Sequence, residues 1–173
     1  MRFRVSVIGG VADRGKILEL AERLGEAVGQ RGWVLVTGGL GGAMEAASRG
    51  AKRAGGVTIG ILPGVNPREA NQHTDIVVAT GMGPARNALV VLNGEAIVAI
   101  GGSWNTLSEM ALAKVYGKPV IGLHAPEVGG VETAESLEQV VSWLEVRAKE
   151  LGFEARRPAE GKGGDPPPPP TSR

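Results

Sequence analysis

Residues Ile100–Glu109 read IGGSWNTLSE. An apolar run of strand character, Ala96 to Ile100, stops at two glycines, passes Ser103, Trp104 and Asn105, and enters a helical pattern at Thr106 with Glu109 one turn on. Strand, glycine-rich turn and helix form the repeating unit of parallel sheets that are buried on both faces. Two earlier strand ends share the pattern: IGGVADRGK, with Gly9 and Gly10, and TGGLGGAME, with Gly38, Gly39, Gly41 and Gly42.

Working outward, apolar runs at Phe3–Ile8, Trp33–Val36, Thr58–Leu62, Ile76–Ala79, Ala96–Ile100 and Pro119–Leu123 give about six strands. Segments of helical period fall between them. Ile17, Ala21, Leu24 and Val28 form one apolar stripe that stops at Gly32, and Ala43–Ala54, Arg86–Leu92 and Thr106–Val115 fill later gaps. A last helix is expected after Ser136, with Leu137, Val140, Val141, Leu144, Ala148 and Leu151 on one face. The expected fold class is α/β: a single Rossmann-like three-layer domain, residues 1–152, around a mostly parallel sheet. Residues 153–173, with Gly161, Gly163, Gly164 and Pro166–Pro170, lack an apolar face and read as a flexible Gly/Pro-rich tail.

Composition narrows the function. Of 173 residues, 19 are Lys or Arg and 18 are Asp or Glu, a net charge of +1 that carries no basic excess for gripping nucleic acid. The absence of cysteine removes disulfides, thiolate nucleophiles and Cys-based metal centres. With only His73 and His124 besides, no metal site is expected. No apolar run is long enough to span a bilayer and no signal-peptide pattern precedes the first strand, so a cytoplasmic protein with no membrane partner is expected.

Glycine is abundant, at 28 residues, and much of it sits at strand ends. In open parallel sheets, ligands bind beyond the carboxyl ends of the strands, where helix N-termini direct backbone N–H groups at anions. Phosphate ligation is therefore expected from Gly9, Gly10, Gly38, Gly39, Gly41, Gly42, Gly101, Gly102, Ser103, Asn105 and Thr106. Neither GxxxxGK[ST] nor GxGxxG is met: Lys16 is followed by Ile17, which excludes a Walker-type site. Thr106 also reads as a helix cap, and TLSE fits the capping box, which gives Glu109 a purely structural alternative.

These motifs carry a resemblance. GGSWNTLSE is similar to the PGGxGTxxE motif of the LOG family of cytokinin-activating phosphoribohydrolases, once mislabelled lysine decarboxylases. TGGLGGAME resembles the family's GGGxxGLM loop, and GMGPARNALV, Gly81–Val90, its helix start with methionine and arginine. The likeness runs from about Phe3 to Leu151. It implies that Arg86 and Glu109 are the catalytic pair for hydrolysing the N-glycosidic bond of a nucleoside 5′-monophosphate. Gly101, Ser103, Asn105 and Asn87 depart from the family's proline, two glycines and lysine, and these departures resemble the subgroup that includes the molybdenum cofactor carrier proteins. The alternative implied is a carrier or sensor that holds a nucleotide or molybdopterin uncleaved, with no cofactor required.

The family also implies a homodimer or larger homo-oligomer, with the apolar run Asn87–Leu92 at the contact. Trp104 could stack on a base or pterin or pack against a neighbour, and His73 lies in a polar loop that could close over a site. Met82 reads as core. Pyridoxal-dependent decarboxylation is not expected, because Lys16 and Lys114 read as helix surface.

Overall fold

The computed structural model describes residues 1–153. The expected tail, apart from Phe153, lies outside the described residues. Seven strands form one sheet: β1 (Arg4–Gly9), β2 (Val34–Thr37), β3 (Val57–Leu62), β4 (Ile76–Ala79), β5 (Ala96–Ile100), β6 (Val120–Leu123) and β7 (Glu132–Ala134). Their order is β4-β3-β2-β1-β5-β6-β7 and every pairing is parallel. Among the described residues four α-helices connect strands, α1 (Lys16–Gln30), α2 (Ala43–Arg53), α3 (Asn87–Asn93) and α4 (Trp104–Val115), and a fifth, α5 (Leu137–Glu150), follows β7.

The sheet has seven strands where six were expected. The additional one, β7, has three residues of which only Ala134 is buried, so it carries no apolar run to betray it. The expected third helix, Arg86–Leu92, is α3 shifted by one residue, and a 3₁₀ turn at Gly83–Arg86 leads directly into it. Ser136 caps α5 as expected, its hydroxyl accepting from the Gln139 N–H at 3.3 Å.

Alternation along the strands sends side chains to two cores. Val5, Val7, Leu35, Val98 and Ile100 pack with α1, α2 and α5 on one face. Ile8, Val36, Ile61, Ile97 and Ala99 pack with α3 and α4 on the other. The first face is tightly closed, because a side chain at Gly25 of α1 would overlap the Ala47 carbonyl and one at Gly50 of α2 would overlap that of Glu22. The missing Cβ atoms let the two helices cross at backbone contact. Phe3 completes this side, edge-on to Trp33 at 5.1 Å and 5.4 Å from Phe153.

The second face has less cover. Ile76 and Val78 pair in register with Ile59 and Ile61, yet they are 49% and 42% exposed at the sheet edge. Within Asn87–Leu92, Val90 and Val91 are buried in the chain's own core while Leu92 is 41% exposed. No helix among the described residues is long and apolar enough to cross a membrane.

This topology brings β2, β1 and β5 side by side at the centre of the sheet, so the three glycine-rich turns meet at one edge. Between β1 and β5 the strand order reverses, which opens the crevice that doubly wound sheets offer to ligands.

Candidate functional site

α4 supplies two of the site's side chains. Its buried residues, Thr106, Glu109, Met110 and Ala113, follow i, i+3, i+4, i+7 and define one inward stripe. Met110 and Ala113 fill the core, and the same stripe presents Thr106 and Glu109 at the glycine-rich edge. The helix starts at Trp104, two residues before the expected position, with Ser103 as N-cap. Thr106 therefore lies inside the first turn instead of capping it, and Glu109 lies a turn too far in to serve a capping box. Both residues are released from the structural role that the sequence allowed them.

Thr106 is fully buried and its Oγ1 has no hydrogen-bond partner. It lies against Gly102, where φ is +94° and a side chain would overlap the hydroxyl. Glycine is required here on both counts, since L residues avoid this φ.

Arg86 ends the 3₁₀ turn and points inward. It is 7% exposed, donates from Nη2 to the Gly38 carbonyl at 3.2 Å and from Nη1 to Asn87 Oδ1 at 2.6 Å, and leaves Nε unpartnered. Asn87 is itself buried and donates from Nδ2 to Ser108 Oγ at 3.3 Å. The Arg86 Nη1 to Glu109 Oε1 distance is 3.8 Å, an ion-pair distance without a hydrogen bond. Burial lowers the Arg86 pKa from its ordinary value, and Glu109 opposes that shift. Burial raises the Glu109 pKa to about 8, and Arg86 restrains it only in part. At neutral pH the Glu109 carboxyl is therefore mostly protonated.

The glycines of the three turns have separate partners. Gly9 abuts the Ala43 methyl and the Ile100 carbonyl, Gly38 abuts the Arg86 guanidinium and Met44 Sδ, and Gly39 abuts Leu62. A side chain at Gly42 would overlap the Gly10 carbonyl, and φ there is +65°. Beside Gly41 the space is nearly open, with Glu45 Oε2 3.8 Å from where a Cβ would stand. Gly10 and Gly101 both face Asp13, whose Oδ2 accepts from the Gly10 N–H at 2.6 Å and Oδ1 from the Gly102 N–H at 3.0 Å. Helices α1, α2 and α4 all begin at this edge without a side-chain cap, whereas α5 has one. Uncapped first turns leave N–H groups for an anion.

Two positioning residues escaped the sequence reading. Asp13 ties the β1 turn to the β5 turn, and Asn71 fastens the β2 turn by donating from Nδ2 to the carbonyls of Gly39 and Leu40 at 3.2 and 3.0 Å. Short polar residues in loops read as turn formers, and their partners lie far off in sequence. His73 enters this loop through its backbone, its carbonyl accepting from the Thr58 hydroxyl at 2.7 Å. Asn105 holds the first turn of α4 through its carbonyl, which accepts from Ser108 Oγ at 2.7 Å. Trp104 is 82% exposed at the rim, and Met82, expected in the core, is 47% exposed there because the turn at Gly81 and Gly83 carries it outward. Among the described residues, no group of three or more His, Asp or Glu side chains is placed to hold a metal ion.

Three comparisons place this geometry among known proteins. The chain is 37% identical to the molybdenum cofactor binding protein from Rippkaea orientalis, with a TM-score of 0.80 over 84% of this chain and 97% of that one. It is 31% identical to the molybdenum cofactor carrier protein from Chlamydomonas reinhardtii, with a TM-score of 0.79 over 86% and 99%. It is 30% identical over 148 residues to a cytokinin riboside 5′-monophosphate phosphoribohydrolase of Mycobacterium marinum, spanning 84% of this chain and 78% of that protein. The family model described as SLOG cluster4 matches residues 2–150, nearly everything that the sheet and its helices comprise, and the chain belongs to the SLOG cluster4 family.

Proposed function

We propose that this protein binds a phosphate-bearing ligand of nucleotide or pterin type in the crevice between β1, β2 and β5 and holds it without cleaving it. The observation that carries this reading is the Thr106 hydroxyl, fully buried, unpartnered and set against Gly102 in the first turn of an uncapped helix. A buried donor left unsatisfied costs about 1–3 kcal/mol, which a ligand oxygen would recover. The relatives named above support a nucleotide- or cofactor-related role, and the two solved structures among them are of a molybdenum cofactor binding protein and a molybdenum cofactor carrier protein. In this reading that cofactor is cargo, held by its phosphate end. Trp104, exposed at the rim, offers a face on which a base or pterin ring stacks.

Cleavage asks for a different state of the site. An oxocarbenium-like transition state is stabilised by a carboxylate, and Glu109 is mostly neutral at pH 7. Arg86 is occupied by Gly38 and by Asn87, which stands where the resembling hydrolases carry a lysine. One observation favours hydrolysis as a second reading: Arg86 and Glu109 remain paired at 3.8 Å. As a homo-oligomer, the protein would find its apolar contact at the under-covered face, where Ile76, Val78 and Leu92 are exposed.

Incubation with AMP at pH 7, with chromatography for adenine and ribose 5-phosphate, separates the two readings. The expected result is binding that quenches the fluorescence of Trp104, the exposed one of three tryptophans, with no release of adenine at stoichiometric enzyme. Release of adenine that increases above pH 8, where Glu109 ionises, would establish the hydrolase instead.

A further inference from the structure

We propose that Asp13 is a built-in anion that fills the ligand's phosphate position in the empty protein and must be displaced for the ligand to enter. The inference rests on the reading of this crevice as a phosphate site. Its two carboxylate oxygens take N–H groups from two different turns, Gly10 at 2.6 Å and Gly102 at 3.0 Å, across the crevice where the strand order reverses. Among the described residues no cation pairs with this carboxylate, so neutral backbone dipoles alone hold it, as they hold anions in backbone nests. The glycines at 10 and 101 make room for it, since a Cβ would stand 3.1 and 2.9 Å from its oxygens.

The slot also holds a donor that this carboxylate leaves unused. Beside Gly102 the buried Thr106 hydroxyl remains unpartnered. The planar Asp13 carboxylate points two oxygens at the Gly10 and Gly102 N–H groups, whereas a tetrahedral phosphate monoester points three oxygens in three directions, so one phosphate serves Gly10, Gly102 and Thr106 together. The segment that carries Asp13 has few other anchors: Val11 is 54% exposed, and nothing lies near a Cβ position at Gly15, where φ is +55°. Rotation about this glycine-bounded turn withdraws the carboxylate while the sheet stays in place.

Selectivity follows from the competition. Each anion that enters must displace a like charge, and its apparent affinity falls by the fraction of molecules in which the slot is open. A ligand with a ring to stack on Trp104 offsets this, and inorganic phosphate has nothing to offset it with. Asp13 would thus keep free phosphate out of a site built for a larger molecule.

The experiment is calorimetric titration of inorganic phosphate into the wild type, Asp13→Ala and Asp13→Asn, with AMP titrated into the wild type in parallel. Both variants are expected to bind inorganic phosphate about tenfold or more tightly than the wild type. Equal or weaker phosphate binding in the variants overturns the proposal, and the near-isosteric asparagine decides the matter if the alanine variant fails to fold. Tighter phosphate binding in the variants with no AMP binding in the wild type upholds the role of Asp13 and sinks the nucleotide reading. AMP binding in the wild type with unchanged phosphate affinity in the variants does the reverse.

Discussion

Replacing Arg86 by alanine is expected to lower folding stability at pH 7 by about 2–4 kcal/mol and to abolish AMP binding. Two effects add. The substitution removes the donors that satisfy the Gly38 carbonyl and Asn87 Oδ1, and hydrogen bonds from charged groups contribute about 1.5–3 kcal/mol each. It also empties the volume of a side chain that is 7% exposed, between the β2 turn and α4. Arg86→Lys is expected to recover little, because one ammonium cannot reach Gly38 and Asn87 in the two directions that the planar guanidinium spans. Urea denaturation and AMP titration of both variants provide the check. An alanine variant within 0.5 kcal/mol of wild type (about the spread of neutral surface changes) and still binding AMP would show that Arg86 holds neither the turn nor the site.

Glu109→Gln is expected to reshape the pH dependence of stability. The folded-state pKa of Glu109, about 8, lies above the 4.5 of an ordinary glutamate. Below pH 4.5 folded and unfolded chains both hold the proton, and the stability linked to it is complete. As pH rises the unfolded chain releases its proton first, so this stability drains away between pH 4.5 and 8 and is gone once the folded carboxyl ionises. At 1.36 kcal/mol per pH unit the total loss is about 3–5 kcal/mol. Glutamine keeps the shape and the neutral state, so the two proteins should differ little at pH 5, and the variant should be the more stable by about 3–5 kcal/mol at pH 9. Glu22, whose pKa is lowered chiefly by Arg49, and Asp75, where the opposing effect of burial is outweighed by Lys52 and Thr58, which lower the pKa, titrate equally in both proteins and cancel in the difference. Parallel stability curves from pH 5 to 9 would mean that Glu109 is ionised in the folded protein across that range, and the hydrolytic reading would regain its carboxylate.

Much of this was legible in the residues. β5 begins and ends where its apolar run does, because a strand inside a parallel sheet is buried on both faces, and the edge strand β4 matches its run because Ile76–Ala79 is apolar throughout. β7 was not legible: it is polar, short and at the edge, and its place comes from pairing with β6. The start of α4 was misplaced because the first helical positions donate no intrahelical N–H bond and so accept residues such as Trp104 and Asn105 that carry no helical signature. That two-residue shift separates a capping threonine from a buried donor with no partner. Arg86 and Glu109 were singled out as candidates by motif, while their burial and their 3.8 Å approach depend on how α3 and α4 meet over the sheet. The tie that Asp13 makes between two turns was invisible because its second partner, Gly102, is 89 residues away in sequence.

The most direct test of the central claim is Thr106→Val, a near-isosteric change that removes only the unpartnered hydroxyl, followed by AMP titration and denaturant unfolding of the empty protein. If a ligand phosphate is that hydroxyl's partner, the valine variant binds AMP about tenfold or more weakly while the empty protein gains about 1 kcal/mol of stability from losing an unsatisfied buried donor. Unchanged AMP affinity, with one site per chain in both proteins, would contradict the account and move the ligand away from the first turn of α4.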